Sequence, residues 1–433
     1  MKRFETISIP VKIDKLVPGG QGIGTLPDGI KGFFWNALPE ETVTKFQVTK
    51  RKSKYFEAVA LEITNPSPHR IAPLDNCYLS TSPWQIMDYD YELAQKSALL
   101  TEQFRQSHLV AITTNEALGR DTELPCEARY ARACLHGANS LCVELRHTRF
   151  TKQLHIASDN NALHYRNKME YALYWDIEQT RIRLAFHARG SHRKIPIENS
   201  SIECPEILAK AKEIIADLNS RHEEARKYQS LLLRCNQNGE VSGGLFENHK
   251  PHPTFRNLTD KILGIEYSYS PNGFFQINLP VYEMALGEIK KHIHTEKVLD
   301  LYAGVGTIGL SIANDKDLTL VEVNKDAYTE LEKNASKYSS AKTVLAKSEE
   351  ALDFITNDET VIVDPPRAGC DKKLLDKILE VAPPTVIYLS CNPATQARDL
   401  SILSEKYQIK SITPFNFFPR TPHLENLVIL EVK

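Results

Sequence analysis

Residues 1–63 alternate apolar and polar positions in short runs, each closed by a turn former. ISIPVKI leads into Pro18-Gly19-Gly20, GIGTL into Asp28-Gly29, and KGFFWNAL into Pro39-Glu40-Glu41. TVTKFQVTKRKSKYFEAVALEI then reads as a hairpin with a basic tip at Lys50, Arg51, Lys52 and Lys54. Short strands at regular spacing predict a small closed barrel. NPSPHRIAPLDN (64–75) reads as a linker ending near Cys77, and a helical run follows from about Tyr91 to His108. From there to about residue 250 the pattern is mixed. HYRNKMEYALYW and TRIRLAFHAR predict paired strands, and PEILAKAKEIIADLNSRHEEARKY predicts a helix. Residues 260–280 return to strand-like spacing. From 297 onward, apolar runs at 297–301, 318–322, 343–346, 361–364, 385–390, 409–417 and 426–432 alternate with helix-like segments. Five βα alternations, then two closing strands with no room for a helix between them, predict a doubly wound sheet with an antiparallel end.

The first unit of that sheet, VLDLYAGVGTIGL (298–310), is strand, glycine turn and helix start, with Gly304, Gly306 and Gly309 in G-x-G-x-x-G spacing. This spacing serves nucleotide-like ligands that press against bare backbone. Glu322 closes the next strand, where a carboxylate grips a ribose diol in such folds. By itself the glycine turn fits many α/β proteins, and the downstream residues decide its meaning.

Composition narrows the class. A chain of 433 residues suggests two to three domains. The N-terminus MKRFETISIP has no apolar leader core, and no apolar run is long enough to cross a bilayer. The eight cysteines form no C-x-x-C pair and read as reduced thiols, so a cytoplasmic location is expected. Net charge is −2, but residues 1–70 hold eleven Lys/Arg against seven Asp/Glu. A mildly basic N-terminal module permits RNA contact without establishing it. At the hairpin tip, Tyr55 and Phe56 are candidates to stack on a base beside the backbone-binding lysines.

Functional groups in an open α/β sheet gather at the carboxyl ends of its strands. Those ends carry Asp300 with its glycines, Glu322, Asp364-Pro365-Pro366-Arg367 and Ser390-Cys391-Asn392-Pro393. Phe418-Pro419-Arg420-Thr421-Pro422-His423-Leu424-Glu425 precedes the last strand. Cys391 is placed as a nucleophile would be, with carboxylates on neighbouring strands.

VLDLYAGVGTIGL, FFQIN, DPPRAG, YLSCNP and FFPRTPHLENLVIL together resemble the RNA uracil-C5 methyltransferases, S-adenosylmethionine enzymes acting on tRNA or large-subunit ribosomal RNA. The N-terminal barrel resembles the TRAM domain of the ribosomal members, and YRNKMEY with the Cys204 region resembles the family's middle domain. The implied fold is a Rossmann-like class I methyltransferase sheet with an N-terminal OB-like β-barrel and an α+β middle domain. Its parts are a TRAM-like RNA-binding barrel (1–63), a middle domain (64–250) whose helix near 91–108 is placed to pack on the catalytic part, and a methyltransferase domain (251–433). The resemblance makes Cys391 the nucleophile and Glu425 the base. It places Gln276, Tyr302, Gly304, Glu322 and Asp364 around the methyl donor or target base. It favours 23S rRNA as substrate, with tRNA as the alternative, and a monomer is expected. Phe274, Phe275 and Phe418 are candidates to pack against the target base.

The chemistry requires these types. A thiolate adding to C6 of uracil makes C5 nucleophilic, and a base must later remove the C5 proton. The sequence departs from the family in two places. Of the four cysteines that hold a [4Fe–4S] cluster in many members, only Cys77 and Cys204 match. YLSTSPWQIMDYDYE has Ser and Thr where the inner pair belongs, and Cys126, Cys134 and Cys142 have the wrong spacing, so no cluster is expected. Asn416 stands where the family commonly has aspartate, and Cys370 fits no catalytic position. Amino-group methyltransferases follow Asp-Pro-Pro with an aromatic residue, here Arg367. A non-catalytic RNA-binding or assembly protein is the alternative from another class, distinguished by whether Cys391→Ala changes phenotype while RNA affinity stays intact; a plain Rossmann oxidoreductase would leave Cys391 and Glu425 idle.

Overall fold

The structure, a computed structural model, describes residues 4–107, 109, 154–248, 250–252 and 255–433. Six N-terminal strands are β1 (Thr6–Ile7), β2 (Val11–Leu16), β3 (Gly22–Thr25), β4 (Lys31–Trp35), β5 (Thr42–Arg51) and β6 (Tyr55–Thr64). They run in the order β1-β5-β2-β3-β4-β6, and a further β5–β6 pairing closes five of them into the expected barrel. The period-2 alternation is the cause: Val11 and Ile13 are buried while Lys12 and Asp14 face water. Phe34, Phe46 and Phe56 fill the interior with ring centroids 5.2–5.5 Å apart. Phe56 is therefore 1 % exposed and cannot stack on a base at the hairpin tip, a correction to the sequence reading. Its neighbour Tyr55 points to the opposite face and packs edge-on against Phe33.

Residues 64–75 are tied down rather than free. Arg70 donates to Glu41 at 2.5 and 2.7 Å and to Asn36, and the Ile71 amide donates to Ile86. A short helix α1 (Tyr78–Thr81) and the long helix α2 (Tyr89–Gln106) follow. Asp88 caps α2 by accepting from the Tyr91 amide at 2.7 Å. The middle region pairs β7 (Lys168–Asp176), β8 (Arg181–His187), β9 (Lys194–Pro196), β10 (Ser230–Cys235), β11 (Val241–Glu247) and β12 (Lys250–His252) in the order β12-β11-β10-β7-β8-β9. Helix α3 (Pro205–Ser220) covers one face of this sheet. It stops eight residues before the expected end, where His222 adopts φ +54°.

Beyond the hairpin of β13 (Leu258–Ile262) and β14 (Ile265–Tyr269), strand-like spacing misleads: FFQIN is a loop. Asn278 and Pro280 then begin helix α4 (Leu279–Lys290), with proline in the first turn, where its missing N–H costs nothing. The last sheet holds seven strands: β15 (Lys297–Leu301), β16 (Asp317–Glu322), β17 (Ala341–Leu345), β18 (Glu359–Val363), β19 (Thr385–Ser390), β20 (Tyr407–Phe415) and β21 (Glu425–Val432). Their order is β17-β16-β15-β18-β19-β21-β20, with β21 antiparallel to both neighbours. Four helices lie between these strands: α5 (Thr307–Ala313), α6 (Lys325–Ala335), α7 (Lys372–Val381) and α8 (Pro393–Leu403). The third crossover is two 3-10 turns at 348–354 instead of a helix. Strands β18 and β19 are buried along their whole length because helices cover both faces. Leu100 and Phe104 of α2 join the apolar cluster on one of those faces, so α2 packs on the C-terminal sheet.

Candidate active site

Strands β15, β16, β18 and β19 are parallel, so their carboxyl ends meet at one edge. Strand β21 runs the other way, which brings its first residue, Glu425, to that same edge. The pairing Ser390↔Asn426 makes Cys391 and Glu425 neighbours just beyond the ladder. Val363 pairs with Leu301 and Tyr388, so Asp364 emerges beside Tyr302 and on the side of Cys391. Topology and register alone therefore assemble this group.

A cleft of about 1880 Å³ opens over the edge, and Gln276, Tyr302, Gly304, Glu322, Asp364, Cys391 and Glu425 all line it. All seven residues expected from sequence are thus brought together. One wall comes from other parts of the chain: Trp35 of the barrel and Arg189 beyond β8, whose guanidinium lies 4.0 Å from the indole ring. These two are 154 positions apart, and no local pattern marked them. The barrel reaches the same loop as Glu425. At Gly20, with φ +93°, a Cβ would come within 2.6 Å of Pro422 and 2.9 Å of the Trp84 indole nitrogen.

The glycine turn is shaped for a ligand. Gly304 has φ +59°, and a Cβ there would meet nothing within 4 Å, leaving open cleft. Gly309 has the opposite role: a Cβ would collide with Leu320 at 2.7 Å, so the helix could not close on the sheet. The Glu322 carboxylate accepts from the Gly304 amide at 2.8 Å and the Asn324 amide at 2.6 Å. That fixes it and leaves lone pairs for a diol. Asp300 braces the turn from beneath, accepting from Gly309 at 2.8 Å while its other oxygen has no partner. Burial pushes it up to about 7.

The three reactive candidates sit in an unbalanced field. Burial pushes Asp364 up to about 7. Glu425, 5 % exposed, is raised well above the usual carboxylate range by burial and by Asp364, with Arg367 opposing. The Cys391 thiol is pushed up to about 11, first by burial and then by Glu425 and Asp364. The Arg367 guanidinium, hydrogen-bonded to it, pulls the other way. Two carboxyl groups and one thiol thus share a low-polarity pocket in which Arg367 is the opposing cation, the kind of arrangement that holds a proton ready to move.

Directly behind lies a cluster of opposite character. Glu92 and Lys96 of α2, both 0 % exposed, pair at 2.8 Å. Lys96 also donates to Asn416 at 2.5 Å and to the Phe418 carbonyl at 3.1 Å, while Glu92 accepts from the Arg420 amide at 3.0 Å. Burial pulls Lys96 down and Glu92 pulls it back up. Asn416 further donates to the Tyr89 hydroxyl at 3.0 Å, so this position anchors the loop that leads to Glu425.

The FFQIN loop is held from the middle sheet. Arg234 donates to the carbonyls of Gly273, Phe275 and Gln276, and Lys168 to those of Asn272 and Gly273. Phe275 stacks on Tyr269 with centroids 4.0 Å apart and belongs to the core, whereas Phe274 is 74 % exposed on the cleft wall. Phe418 packs partly on the core and edge-on to His423, both lining the cleft. Cys370 is buried, its thiol pushed up to about 12, and its amide donates to Asp399, which is structural duty.

A four-iron cluster does not fit the cysteine region described. It needs four thiolates. Cys77 lies in the apolar core of the middle region, pushed up to about 12 by burial and by Asp75. The segment after it supplies Ser80, Thr81 and Ser82. Cys126, Cys134 and Cys142 lie outside the described residues.

A seven-stranded sheet in this order, with a glycine turn after its first strand and the reactive groups at its carboxyl edge, defines a Rossmann-like methyltransferase fold. Residues 352–433 match the family model described as tRNA (Uracil-5-)-methyltransferase. An RNA methyltransferase of uncharacterised function from Bacillus anthracis is 26 % identical over a 452-residue alignment, covering 98 % of this chain and 97 % of that protein. Another from Prochlorococcus marinus is 30 % identical over 331 residues, covering 62 % and 78 %. The chain belongs to this RNA methyltransferase family. The crystal structure of the Pyrococcus abyssi tRNA (uracil-54, C5)-methyltransferase in complex with S-adenosyl-L-homocysteine is 22 % identical. It superposes with a TM-score of 0.69 over 98 % of this chain and 100 % of that one, which shows a shared fold.

Proposed function

We propose that this enzyme methylates C5 of a uridine in RNA, with S-adenosylmethionine as methyl donor and Cys391 as nucleophile. The convergence of Cys391, Glu425 and Asp364 at one sheet edge, inside a cleft beside a glycine turn, is the observation that carries this reading. Gln276, Tyr302, Gly304 and Glu322 would hold the donor, and Glu322 is suited to its ribose diol. When bound, the donor supplies an electrophilic methyl group. The target base must leave its stack to reach the cleft.

Cys391 adds as thiolate to C6, which gives C5 the character of an enolate carbon. Arg367 is the group beside it that favours the thiolate. Once C5 carries the methyl group, the Glu425 carboxylate takes the C5 proton, the C5=C6 bond re-forms and the Cys391 sulfur leaves. Asp364 as carboxylate accepts the uracil N3–H, and cytosine has no proton there to offer. If Asp364→Asn kept full uridine selectivity, that role would be lost.

The barrel and the middle region (1–63 and 64–250 in this reading) supply the RNA surface, with 251–433 as the catalytic domain and the cytoplasm as the site of action. The TRAM-like barrel favours 23S rRNA. tRNA is the second reading, favoured by the match to the tRNA family model and by a tRNA enzyme that shares the whole fold. Transfer from labelled S-adenosylmethionine to unmodified ribosomal RNA and tRNA, followed by nucleoside mass spectrometry, tests both. 5-Methyluridine in one of them supports the proposal and selects the substrate, whereas label on another nucleoside overturns it.

A further inference from the structure

Cys204 and Cys235 are 31 positions apart, yet one strand entry sets them side by side. The Cys204 amide donates to the Arg166 carbonyl at 3.0 Å, and the Cys235 amide donates to the next carbonyl, Asn167, at 2.9 Å. The two thiols are therefore fixed by backbone bonds on either side of residues 166–167. Glu206, two residues after Cys204, brings its carboxylate to the same point. One oxygen and the two sulfurs lie within 4.8 Å of one another. A tetrahedral zinc-class ion with metal–sulfur bonds of about 2.3 Å and metal–oxygen bonds of about 2.1 Å needs ligand atoms roughly 3.5–3.8 Å apart. Small side-chain adjustments reach that spacing.

Three further features favour a cation here. Cys204 occupies the N-cap of the 16-residue helix α3 and makes no side-chain capping bond, so its sulfur lies at the positive end of a helix, where thiolate is stabilised. Glu206 is exposed and forms no ion pair among the described residues. Glu203 and Asp260 add negative charge near the thiols. Cys77, which with Cys204 matches the outer cysteine positions of the family, is not part of this group.

We infer that Cys204, Cys235 and Glu206 form a binding site for one thiophilic divalent cation of the zinc class, with water in the fourth position. The site is structural. Arg166 lines the cleft while its carbonyl holds Cys204. Asn167 holds Cys235 and donates from its side chain to the Gln276 carbonyl at 3.2 Å. A bound ion would brace the junction from which the FFQIN loop hangs, without touching the reacting groups.

The test uses the full chain, reduced and stripped of metal, titrated with Cd²⁺ as probe. Its readouts are the thiolate-to-cadmium charge-transfer band, the number of thiols open to a chromogenic disulfide reagent, and the melting temperature. One equivalent should produce the band, protect two thiols and raise the melting temperature, since the ion binds only the folded chain. Cys204→Ser and Cys235→Ser should each abolish the band. Glu206→Gln, an exposed change that keeps the fold, should weaken Cd²⁺ binding at least tenfold. An undiminished band in the Cys204→Ser/Cys235→Ser double variant would overturn the assignment. So would absence of binding, near-stoichiometric iron and sulfide in anaerobically purified protein, or a Cys204–Cys235 disulfide as the stable state in reducing buffer.

Discussion

Two polar clusters face each other across the loop 416–425, and they differ in how fully their charges are matched. In the rear cluster every charged group has a partner: Lys96 meets Glu92, Asn416 and a carbonyl, and Glu92 also holds the Arg420 amide. In the front cluster Asp364, Glu425 and Cys391 press three acidic groups together against Arg367. Burial is deeper in the rear cluster, where Glu92 and Lys96 are closed to solvent while Asp364 and Cys391 are partly exposed, so burial alone does not single out the front cluster. The unmatched charge does, and it supports the proposed role, because a proton or a substrate would complete the balance.

Removing a group from the front cluster should damage chemistry and spare stability. The largest expected effect is therefore on Cys391→Ala. It should lower methyl transfer by about 10⁴-fold or more while leaving the melting temperature and RNA affinity within error, since this partly exposed thiol belongs to none of the apolar core clusters among the described residues. A variant that lost stability in proportion to activity would place Cys391 with the rear cluster. Next comes Glu425→Gln. The amide cannot take the C5 proton, so turnover should fall about 10³-fold, within the usual range for a lost acid–base group. A covalent protein–RNA species carrying the new methyl group should accumulate. Wild-type turnover in this variant would assign the proton to another base.

The rear cluster should respond in the opposite way. Lys96→Met takes the nearest cation from buried Glu92 and leaves it the Arg420 amide and an Arg420 guanidinium 3.8 Å away, which should still cost about 3 kcal/mol in chemical denaturation. The remaining folded protein should keep much of its activity. A loss below 1 kcal/mol would show that the pairing is not what holds the loop. The smallest effect is on pH dependence. Asp300 is raised from 3.8 to about 7 in the folded chain. The unfolded chain therefore releases this proton first, and stability falls as pH rises from about 4 to 7, by about 2 kcal/mol between pH 5 and 7. Asp300→Asn should remove that part of the slope, and a slope unchanged by the substitution would contradict the assignment.

The front cluster was legible in the sequence and the rear one was not. Buried strands are short, largely apolar runs with sharp ends, so the limits of 297–301 and 385–390 are legible in the sequence. The residues just past those ends fell into place with them. Glu92 and Lys96 look like any solvent-facing i,i+4 pair, and a loop more than 300 positions away closes over them. Helix α4 escaped notice because its proline start follows an aromatic-rich loop that imitates a strand. Phe56 lies beside the charged tip, yet the alternation of β6 turns it inward. Cys204 and Cys235 meet through backbone pairing with a third segment, a relation no spacing in the sequence displays.

Incubation of the enzyme and methyl donor with RNA carrying 5-fluorouridine at the target tests whether Cys391 is the nucleophile. Fluorine at C5 cannot leave as a proton, so the reaction should stop after methyl transfer. Mass spectrometry should find the methylated nucleotide bonded to Cys391 through C6. RNA that binds beside the donor yet forms no adduct, or forms it at another residue, would contradict nucleophilic catalysis by Cys391.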